Sequence, residues 1–373
     1  MTPGHISLLV ALCSSHLLVG WWTWWRMSRG GRTLSLAQVA GGVLVMAVFS
    51  LAQLFVFKGR LLSTSAVMNV AWLDLTVVTP LAGIGLLLAG RRGWSLSRAA
   101  RGAAWLSLAT IPLAVYAQAI EPFRLSLEQV DVSLASARSG REPITLGVLA
   151  DLQFSRITDH EIDAVERLMA LQPDVVLIPG DLFEGTAAGF ESELPRIQSL
   201  LARLSAPGGV WLVTGDVDVH DGFERVTDGT SVRLLRDELV EIIVRDRQLT
   251  LLGIDRHGWV EGAREALAAL EERPGETDVR LVLAHRPIVI EQLQPGTRVD
   301  LIVAGHTHGG QVALPFLGPP YIGSPLPNHV GAGGLHVLDG RRIYISRGIG
   351  MERHQSPRIR FLVPPEISLL TLR

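Results

Sequence analysis

The chain has 373 residues, of which 48% are hydrophobic and 19% charged, and its formal net charge is -2. This length indicates at least two regions of different character, and the lack of a basic excess argues against a nucleic-acid partner. Cys13 is the single cysteine, which excludes an intrachain disulfide and a thiolate metal cluster, so a metal ion would need oxygen or nitrogen ligands.

The first third of the chain holds nearly all of the long apolar segments. Crossing a bilayer takes about 20 predominantly apolar residues, and four segments reach that length: residues 5–25, 34–57, 64–89 and 102–119. We therefore predict a transmembrane helical region over residues 1–120, with about four spans, and a soluble domain over residues 121–373. A cleaved signal peptide is the alternative for the first segment, but three further apolar segments follow it.

The charges between these segments predict a multi-pass protein of the cell membrane with an extracytoplasmic soluble domain. Positively charged loops tend to stay in the cytoplasm, and the loops after the first and third segments contain Arg26, Arg29, Arg32, Arg91, Arg92, Arg98 and Arg101. Asp74 lies inside the third segment, where an ionisable side chain is a candidate for a transport or sensing role. A hydrogen bond within the helix bundle is the alternative for Asp74.

From Ile144 onward, short β-branched stretches alternate with helix-like stretches, which predicts a mixed α/β fold. Five predicted strands are each followed closely by Asp or His: residues 144–150 before Asp151, 175–178 before Asp181, 210–214 before Asp216, 279–284 before His285, and 301–304 before His306 and His308. Open α/β sheets assemble ligand sites at the carboxyl ends of their strands. Carboxylate and imidazole ligands suit Mn²⁺, Fe, Zn²⁺ or Mg²⁺.

Each motif has a plain alternative when it is taken alone. A Gly-Asp pair after a strand is usually a turn, and His285 before Arg286 and Pro287 could begin a helix. The pair of His306 and His308 is more specific, because alternate residues of an extended segment lie on the same side of the backbone. Five such motifs in this order favour one metal site.

These motifs resemble those of the calcineurin-like metallophosphoesterases: Asp-x-His, Gly-Asp-x-x-Asp, Gly-Asn-His-Asp or Glu, a later His, and Gly-His-x-His. The block Gly-His-Thr-His-Gly-Gly-Gln at residues 305–311 resembles the membrane-associated branch with N-terminal transmembrane helices. The ending is similar too, with residues 344–350, Arg360-Phe361 and Pro365-Glu366-Ile367. The resemblance covers residues 126–373.

The resemblance implies a β-sandwich flanked by helices and a phosphoester hydrolase with two divalent ions, Mn, Mg, Fe or Zn. Seven side chains would hold the ions: Asp151 and His308 on one, His285 and His306 on the other, Asp181 between them, and Gln153 and Asp216 at two further ligand positions. The implied reaction is attack of a metal-bound hydroxide on the phosphorus of a monoester, a diester or a pyrophosphate.

Three of the family's motifs are altered in this chain. Gln153 stands in place of the first His, so a neutral amide replaces an imidazole. Asp216 and Val217 stand in place of Asn-His, and Glu184 in place of the last Asp of the second motif. The extra carboxylate favours harder ions such as Mn²⁺ or Mg²⁺.

Val217 cannot assist the leaving group as the family's His does, which leaves two hypotheses. In the first, the chain is an active phosphoesterase on a substrate at the membrane, with lipid-linked and cell-envelope substrates as candidates, and His220 replaces the missing His. A solvated loop histidine is the alternative for His220. Residues 315–321 could form an apolar wall for a lipid or be an ordinary packed loop. In the second hypothesis, the chain is a catalytically degenerate binding or regulatory module.

Overall fold

The computed structural model describes residues 33–34, 64–256, 262–275, 277–353 and 356–373. These residues fall into two compact units, one drawn from residues 1–116 and 353–358, and the other from residues 117–352 and 359–373. The first two predicted membrane segments, residues 5–25 and 34–57, lie outside the described residues apart from Leu34.

Among the described residues, two helical stretches are long and apolar enough to cross a membrane, Met68–Arg91 and Arg98–Phe123. The helices are α1 (Thr64–Leu73), α2 (Thr79–Arg91), α3 (Arg98–Leu108) and α4 (Thr110–Val115), with π-helical turns at Asp74–Val78 and Tyr116–Ile120 and a 3₁₀ turn at Glu121–Phe123. Strands β1 (Thr33–Leu34) and β2 (Ser95–Leu96) form a short parallel pair. The two stretches overlap the third and fourth predicted spans.

The π-helical turn at Asp74–Val78 precedes Pro80, which lacks the N–H group that an α-helix needs. The hydroxyl of Thr79 donates a hydrogen bond to the backbone oxygen of Asp74 at 2.8 Å and so supplies a donor at this turn. Helix α3 begins after Ser97, whose hydroxyl accepts a hydrogen bond from the N–H of Ala100 at 3.1 Å.

The described residues of the second unit form two six-stranded sheets. The order in the first sheet is β3 (Ser126–Val132), β14 (Glu366–Leu372), β4 (Ile144–Val148), β5 (Val175–Ile178), β6 (Val210–Leu212) and β7 (Val232–Leu234). The order in the second is β12 (Gly334–Leu338), β13 (Arg341–Ile345), β11 (Leu301–Ala304), β10 (Val279–Ala284), β9 (Arg247–Ile254) and β8 (Glu238–Val244).

Both sheets are mostly parallel, which directs their functional loops to one edge. Strands β4 to β7 run parallel to one another, and so do β9, β10, β11 and β13. The inner faces of the two sheets share one apolar core, to which both contribute fully buried side chains such as Leu146, Leu177, Leu281 and Val303. The mixed α/β prediction, with two sheets, is confirmed.

Helices cover the outer faces of the sheets. Those of the first sheet are α5 (Asp159–Ala170) and α6 (Ala187–Leu201); those of the second are α7 (Gly262–Glu271) and a 3₁₀ turn at Pro287–Gln292, while α8 (Asn328–Gly331) is a single turn. Helix α5 begins with a capping box, in which the carboxylate of Glu161 accepts a hydrogen bond from the N–H of Thr158 at 2.7 Å. Its buried residues Ala164, Val165 and Leu168 recur at helical spacing and pack on the sheet.

Candidate metal centre

The carboxyl ends of β4, β5, β6, β10 and β11 bring the predicted metal ligands together. One ligand atom from each of Asp151, Asp181 and His285 lies within 4.8 Å of the others, and the same holds for Asp216, His285 and His306. His285 belongs to both groups, so the two clusters share one side chain. The convergence follows from the parallel strands, whose carboxyl ends meet at one edge.

The backbone at this edge is strained. Five predicted ligands have positive φ angles that residues other than glycine rarely adopt, namely Asp151 (47°), Gln153 (43°), Asp181 (56°), His306 (73°) and His308 (48°). Each such residue costs on the order of 1 kcal/mol or more, and this kind of strain is concentrated at functional sites. The strain supports a site selected for its ligands rather than for stability.

Glycines leave the space that Asp151 needs. A Cβ atom at Gly305 would lie 2.7 Å from Oδ2 of Asp151, and one at Gly348 would lie 2.6 Å from its Cβ. The N–H of His306, next to Gly305, is 3.0 Å from both carboxylate oxygens of Asp151. Burial raises the pKa of Asp151 to about 7, with His285 opposing the rise and Asp181 adding to it.

His285 is oriented by the backbone and faces the carboxylates. Its Nδ1 lies 2.8 Å from the carbonyl oxygen of Pro179, and with Nδ1 as the donor, Nε2 is left as a metal ligand. Nε2 lies 3.3 Å from Oδ2 of Asp181 and 3.6 Å from Oδ2 of Asp216. Burial by itself lowers the pKa of His285, but Asp181 and the other carboxylates raise it well above its ordinary value. The carboxylates around His285 therefore favour a positive charge between them.

Asp216 lies between the side chains of His306 and Arg286. Its Oδ2 is 3.0 Å from Nδ1 of His306, and its carboxylate accepts hydrogen bonds from Nη2 and Nε of Arg286 at 2.6 and 3.0 Å. Although burial alone would raise its pKa, hydrogen bonds from His285, His306 and Arg286 hold the pKa of Asp216 far below its usual range. Asp216 is therefore a carboxylate, ready to act as a ligand.

Asp218 and Val217, in the loop after β6, contact the loop after β5 that carries Asp181. The buried carboxylate of Asp218 accepts hydrogen bonds from the N–H groups of Asp181, Leu182 and Gly215 at 2.8 to 2.9 Å. The N–H of Val217 donates to Oδ1 of Asp181 at 2.9 Å. The loop after β6 thus fixes Asp181 through its backbone, even though valine replaces the family's His.

His308 gives the clearest sign that an ion belongs here. The residue is 2% exposed, and neither ring nitrogen has a hydrogen-bond partner within the part of the chain that the structure describes. Burial, with a further contribution from Arg360, lowers the pKa of His308 to about 3, so the ring is neutral. Buried polar atoms are nearly always satisfied, and a neutral imidazole beside carboxylates fits a divalent cation.

Two predicted residues lie at the margins of this arrangement. The amide of Gln153 is buried, and its Nε2 lies 3.4 Å from Oε2 of Glu352. The ring of His220 stacks on Phe190, with centroids 4.9 Å apart and planes 9° apart, and meets Phe183 edge-on at 5.3 Å. Burial lowers the pKa of His220, and the carboxylate of Asp221 partly opposes this. Its general-acid role stays a prediction.

Sequence reasoning did not single out Arg286 or Glu352 as members of the site. Arg286 directly follows His285, so its position beside a strand end was a signal that could have been used. Glu352 lies in a loop after β13, and its sequence spacing from the predicted ligands gives no indication that it lies near them.

The region with this geometry matches a known family. Residues 144–310 match the model of the calcineurin-like phosphoesterases, and β4 to β11 with their ligands lie within that range. This region is a calcineurin-like phosphoesterase domain. The family is dimetal-dependent, in agreement with the two ligand groups that share His285.

Curated relatives extend over most of this domain. Phosphodiesterase YaeI of Escherichia coli (strain K12) is 27% identical over 249 residues, which are 64% of this chain and 86% of the relative. The uncharacterized metallophosphoesterase YkuE of Bacillus subtilis (strain 168) is 29% identical over 218 residues, 54% of this chain and 68% of the relative. The calcineurin-like domain is therefore that of a metal-dependent phosphoester hydrolase.

A dimetal phosphatase from Danio rerio is among the similar solved structures. It is 14% identical, covers 56% of this chain and 88% of its own, and has a TM-score of 0.34.

Proposed function

We propose that the chain is a membrane-anchored phosphoester hydrolase that binds two divalent ions and acts on a substrate at or near the membrane surface. The observation that carries this proposal is the buried, neutral imidazole of His308 beside a cluster of carboxylates and imidazoles from five strand ends. A side chain without a hydrogen-bond partner among the described residues, in a polar and strained site, is explained by metal coordination.

The seven predicted ligands divide into two sets. Asp151, His308 and Gln153 hold one ion, and Asp216, His285 and His306 hold the other, with Asp181 contributing to both. The distances of 3.3 and 3.6 Å from Nε2 of His285 to Asp181 and Asp216 support the second set. The carboxylate-rich ligands favour Mn²⁺ or Mg²⁺.

When bound, such a pair of ions supplies an activated water as nucleophile and neutralises charge on the phosphoryl oxygens. The chain's own part is to place the ligands before the substrate arrives. Pro179 orients His285, the N–H of His306 holds Asp151, and Asp218 ties the loop after β5 to the loop after β6. This preorganisation limits the reorganisation that the reaction itself would need.

Exposed apolar surface supports the membrane anchor. Leu81, Trp105 and Leu106, on the two helical stretches of membrane-spanning length, are 61, 62 and 73% exposed. Helices with large exposed apolar side chains suit a lipid environment better than water. The remaining two spans, residues 5–25 and 34–57, and the extracytoplasmic position of the domain are parts of the same proposal.

The segment after the Gly-His-Thr-His block supports a substrate with an apolar part. Phe316 is fully exposed and Leu317 is 81% exposed, at the tip of a turn that the Leu314–Gly318 pairing closes. The base of this segment packs on the loop that carries His308, because a Cβ atom at Gly310, two residues after His308, would lie 2.8 Å from Cβ of Pro319. A lipid-linked phosphodiester therefore fits this segment, because its lipid part could contact the apolar tip. The Escherichia coli relative is named a phosphodiesterase, which agrees with a diester substrate.

The decisive experiment assays the full-length chain in detergent with Mn²⁺, using a generic phosphodiester and a generic phosphomonoester. Asp181→Ala is the test variant, and Asp163→Ala, a partly exposed residue of α5, is the matched control. We expect Mn²⁺-dependent turnover that Asp181→Ala abolishes and Asp163→Ala preserves. Alkaline extraction of membranes tests the anchor, because a spanning chain stays in the pellet.

Gln153 and Val217 favour the second candidate, a catalytically degenerate binding or regulatory module. This candidate predicts tight Mn²⁺ binding by the wild-type chain without turnover of either ester or of lipid-linked phosphodiesters in mixed micelles. A reporter fused after Arg373, active on one side of the membrane only, tests the orientation.

A further inference from the structure

Glu352 places a carboxylate beside the ion set that contains Gln153. Its Oε2 lies 3.4 Å from Nε2 of Gln153 and 3.8 Å from Nε2 of His308. The Glu352 side chain is 42% exposed, whereas that of His308 is 3% exposed. The carboxylate therefore approaches the buried ligands from the open side of the site.

Backbone contacts hold Glu352 in this position. Its N–H donates to Oε1 of Gln311 at 2.7 Å, and Gln311 ends the block that contains His306 and His308. Two residues before Glu352, the N–H of Gly350 donates to the backbone oxygen of Asp151 at 2.7 Å. The loop that carries Glu352 is thus attached to the loops of two other ligands.

The 3.8 Å between Oε2 of Glu352 and Nε2 of His308 is only slightly longer than the separation of two atoms bound to one ion. Atoms bound to one ion at about 2.1 Å lie roughly 3 to 3.5 Å apart, whereas an N–H···O hydrogen bond is normally about 2.9 Å long. At 3.8 Å, Oε2 of Glu352 is too far from Nε2 of His308 for a hydrogen bond. Its 3.4 Å contact with Gln153 is a long hydrogen bond from the amide nitrogen, so Oε1 is the atom of Gln153 that would bind a metal ion. A small shift toward a common cation would bring the carboxylate of Glu352 and the imidazole of His308 to ligand distances.

We infer that Glu352 is a further metal ligand, which coordinates the same divalent ion as Gln153 and His308. This inference rests on the proposed two-metal function. It also explains how the chain tolerates Gln153, because a carboxylate from a distant loop supplies the strong donor that the neutral amide cannot. The resulting set of oxygen ligands and one imidazole favours Mn²⁺ or Mg²⁺ over Zn²⁺.

The test is a Mn²⁺ titration of the metal-stripped, full-length chain in detergent, with free Mn²⁺ followed by electron paramagnetic resonance. We expect the wild-type chain to bind two ions, and Glu352→Gln to keep one while the Kd of the other rises at least about tenfold. Glu271→Gln is the matched control, because Glu271 is also partly exposed but lies at the end of α7. It should match the wild type.

A second comparison separates a ligand from a residue that only orients Gln153. If Glu352 binds the ion directly, Gln153→Ala/Glu352→Gln has a weaker affinity than Gln153→Ala. Equal affinities of these two variants would overturn the inference, and so would a Glu352→Gln titration identical to that of the wild type.

Thermal unfolding of each metal-free variant, with and without added Mn²⁺, controls for misfolding. A Glu352→Gln variant whose Tm rises with Mn²⁺ as much as that of the wild type also contradicts the inference. A wild-type chain that binds no Mn²⁺ overturns the proposed function as well, whereas two wild-type ions with an unaffected Glu352→Gln overturn the ligand role of Glu352 alone.

Discussion

Asp216 and Arg286 form a two-point ion pair at the edge of the metal centre. Nη2 of Arg286 donates to Oδ1 of Asp216 at 2.6 Å, and Nε donates to Oδ2 at 3.0 Å. The corresponding motif of the calcineurin-like metallophosphoesterases has a neutral Asn where this chain has Asp216. The guanidinium therefore balances a charge that the family's usual ligand does not carry, while fixing the carboxylate's orientation.

The effects of Arg286 and Asp216 on metal affinity should depend on each other. We expect Arg286→Gln and Asp216→Asn each to weaken the binding of one Mn²⁺ ion by about tenfold or more. In Arg286→Gln, the carboxylate of Asp216 loses the partner that orients it. In Asp216→Asn, the guanidinium of Arg286 faces the site without a balancing carboxylate. The double variant should bind more tightly than Asp216→Asn alone. Isothermal titration calorimetry measures the four affinities, with Arg203→Gln as an exposed control; strictly additive losses would contradict the coupling.

His220 offers a direct test of the missing general acid. The His220→Phe variant keeps an aromatic ring in the stack with Phe183 and Phe190 but cannot transfer a proton. If His220 assists the leaving group, kcat falls by about 10²–10⁴-fold with little change in Mn²⁺ affinity. An unchanged kcat at unchanged Tm would instead assign His220 to packing.

Arg360 should be essential for the stability of the domain. It is fully buried and donates hydrogen bonds to the backbone oxygens of Arg347, Gly348, Gly350 and Val363 at 2.5 to 3.2 Å. Its burial lowers the pKa of Arg360 to about 10, with Asp151 opposing the shift. Arg360→Met leaves these oxygens without their donors, so we expect a loss of at least about 3 kcal/mol.

Urea denaturation of the full-length chain in detergent measures this loss. Arg360→Lys should recover only part of it, because an ammonium group has fewer donors and lacks the planar fork. Arg358→Met, at an exposed position two residues earlier, is the control and should change the free energy of unfolding little. A midpoint for Arg360→Met close to that of Arg358→Met would show that water can replace the guanidinium.

Asp174 should make the stability of the domain depend on pH. Its carboxylate accepts hydrogen bonds from Nε of Arg245 at 3.0 Å and from the N–H and hydroxyl of Thr145 at 2.8 and 2.9 Å. Burial alone would raise its pKa, but these bonds outweigh burial and lower the pKa of Asp174 below its ordinary value. The stabilisation is therefore present above the unfolded pKa of about 3.9 and is lost as pH falls through the folded pKa.

At pH 7 we expect Asp174→Asn to lower the free energy of unfolding by about 1–3 kcal/mol. The difference from the wild type should shrink as pH falls below about 4, because the carboxylate takes up a proton first in the unfolded chain and then, at lower pH, in the folded chain. Denaturation curves between pH 3 and 8 measure the effect, and Asp163→Asn, which removes an exposed pair with Arg167, is the control. If the difference in free energy of unfolding between the wild type and Asp174→Asn is constant over this pH range, Asp174 does not titrate as predicted.

The strand-end motifs allowed the convergence of five candidate ligands to be predicted without a structure. Three of the five strands, β5, β10 and β11, have the predicted bounds, and β4 and β6 end two residues earlier than predicted, at Val148 and Leu212. The prediction works because a buried strand has a readable apolar pattern, and because the carboxyl ends of parallel strands converge. Asp151, Asp181, Asp216, His285 and His306 accordingly form the two groups of possible ligands.

The sequence by itself determined the mixed α/β domain, the apolar helices and the Asp and His residues at the strand ends, since each depends on a local pattern. Only the tertiary structure decided which side chains support those ligands. Gln153 and Glu352 are separated by 199 positions, and Asp216 and Arg286 by 70. Such contacts depend on how long loops return to the same edge of the sandwich, and no local periodicity encodes that path.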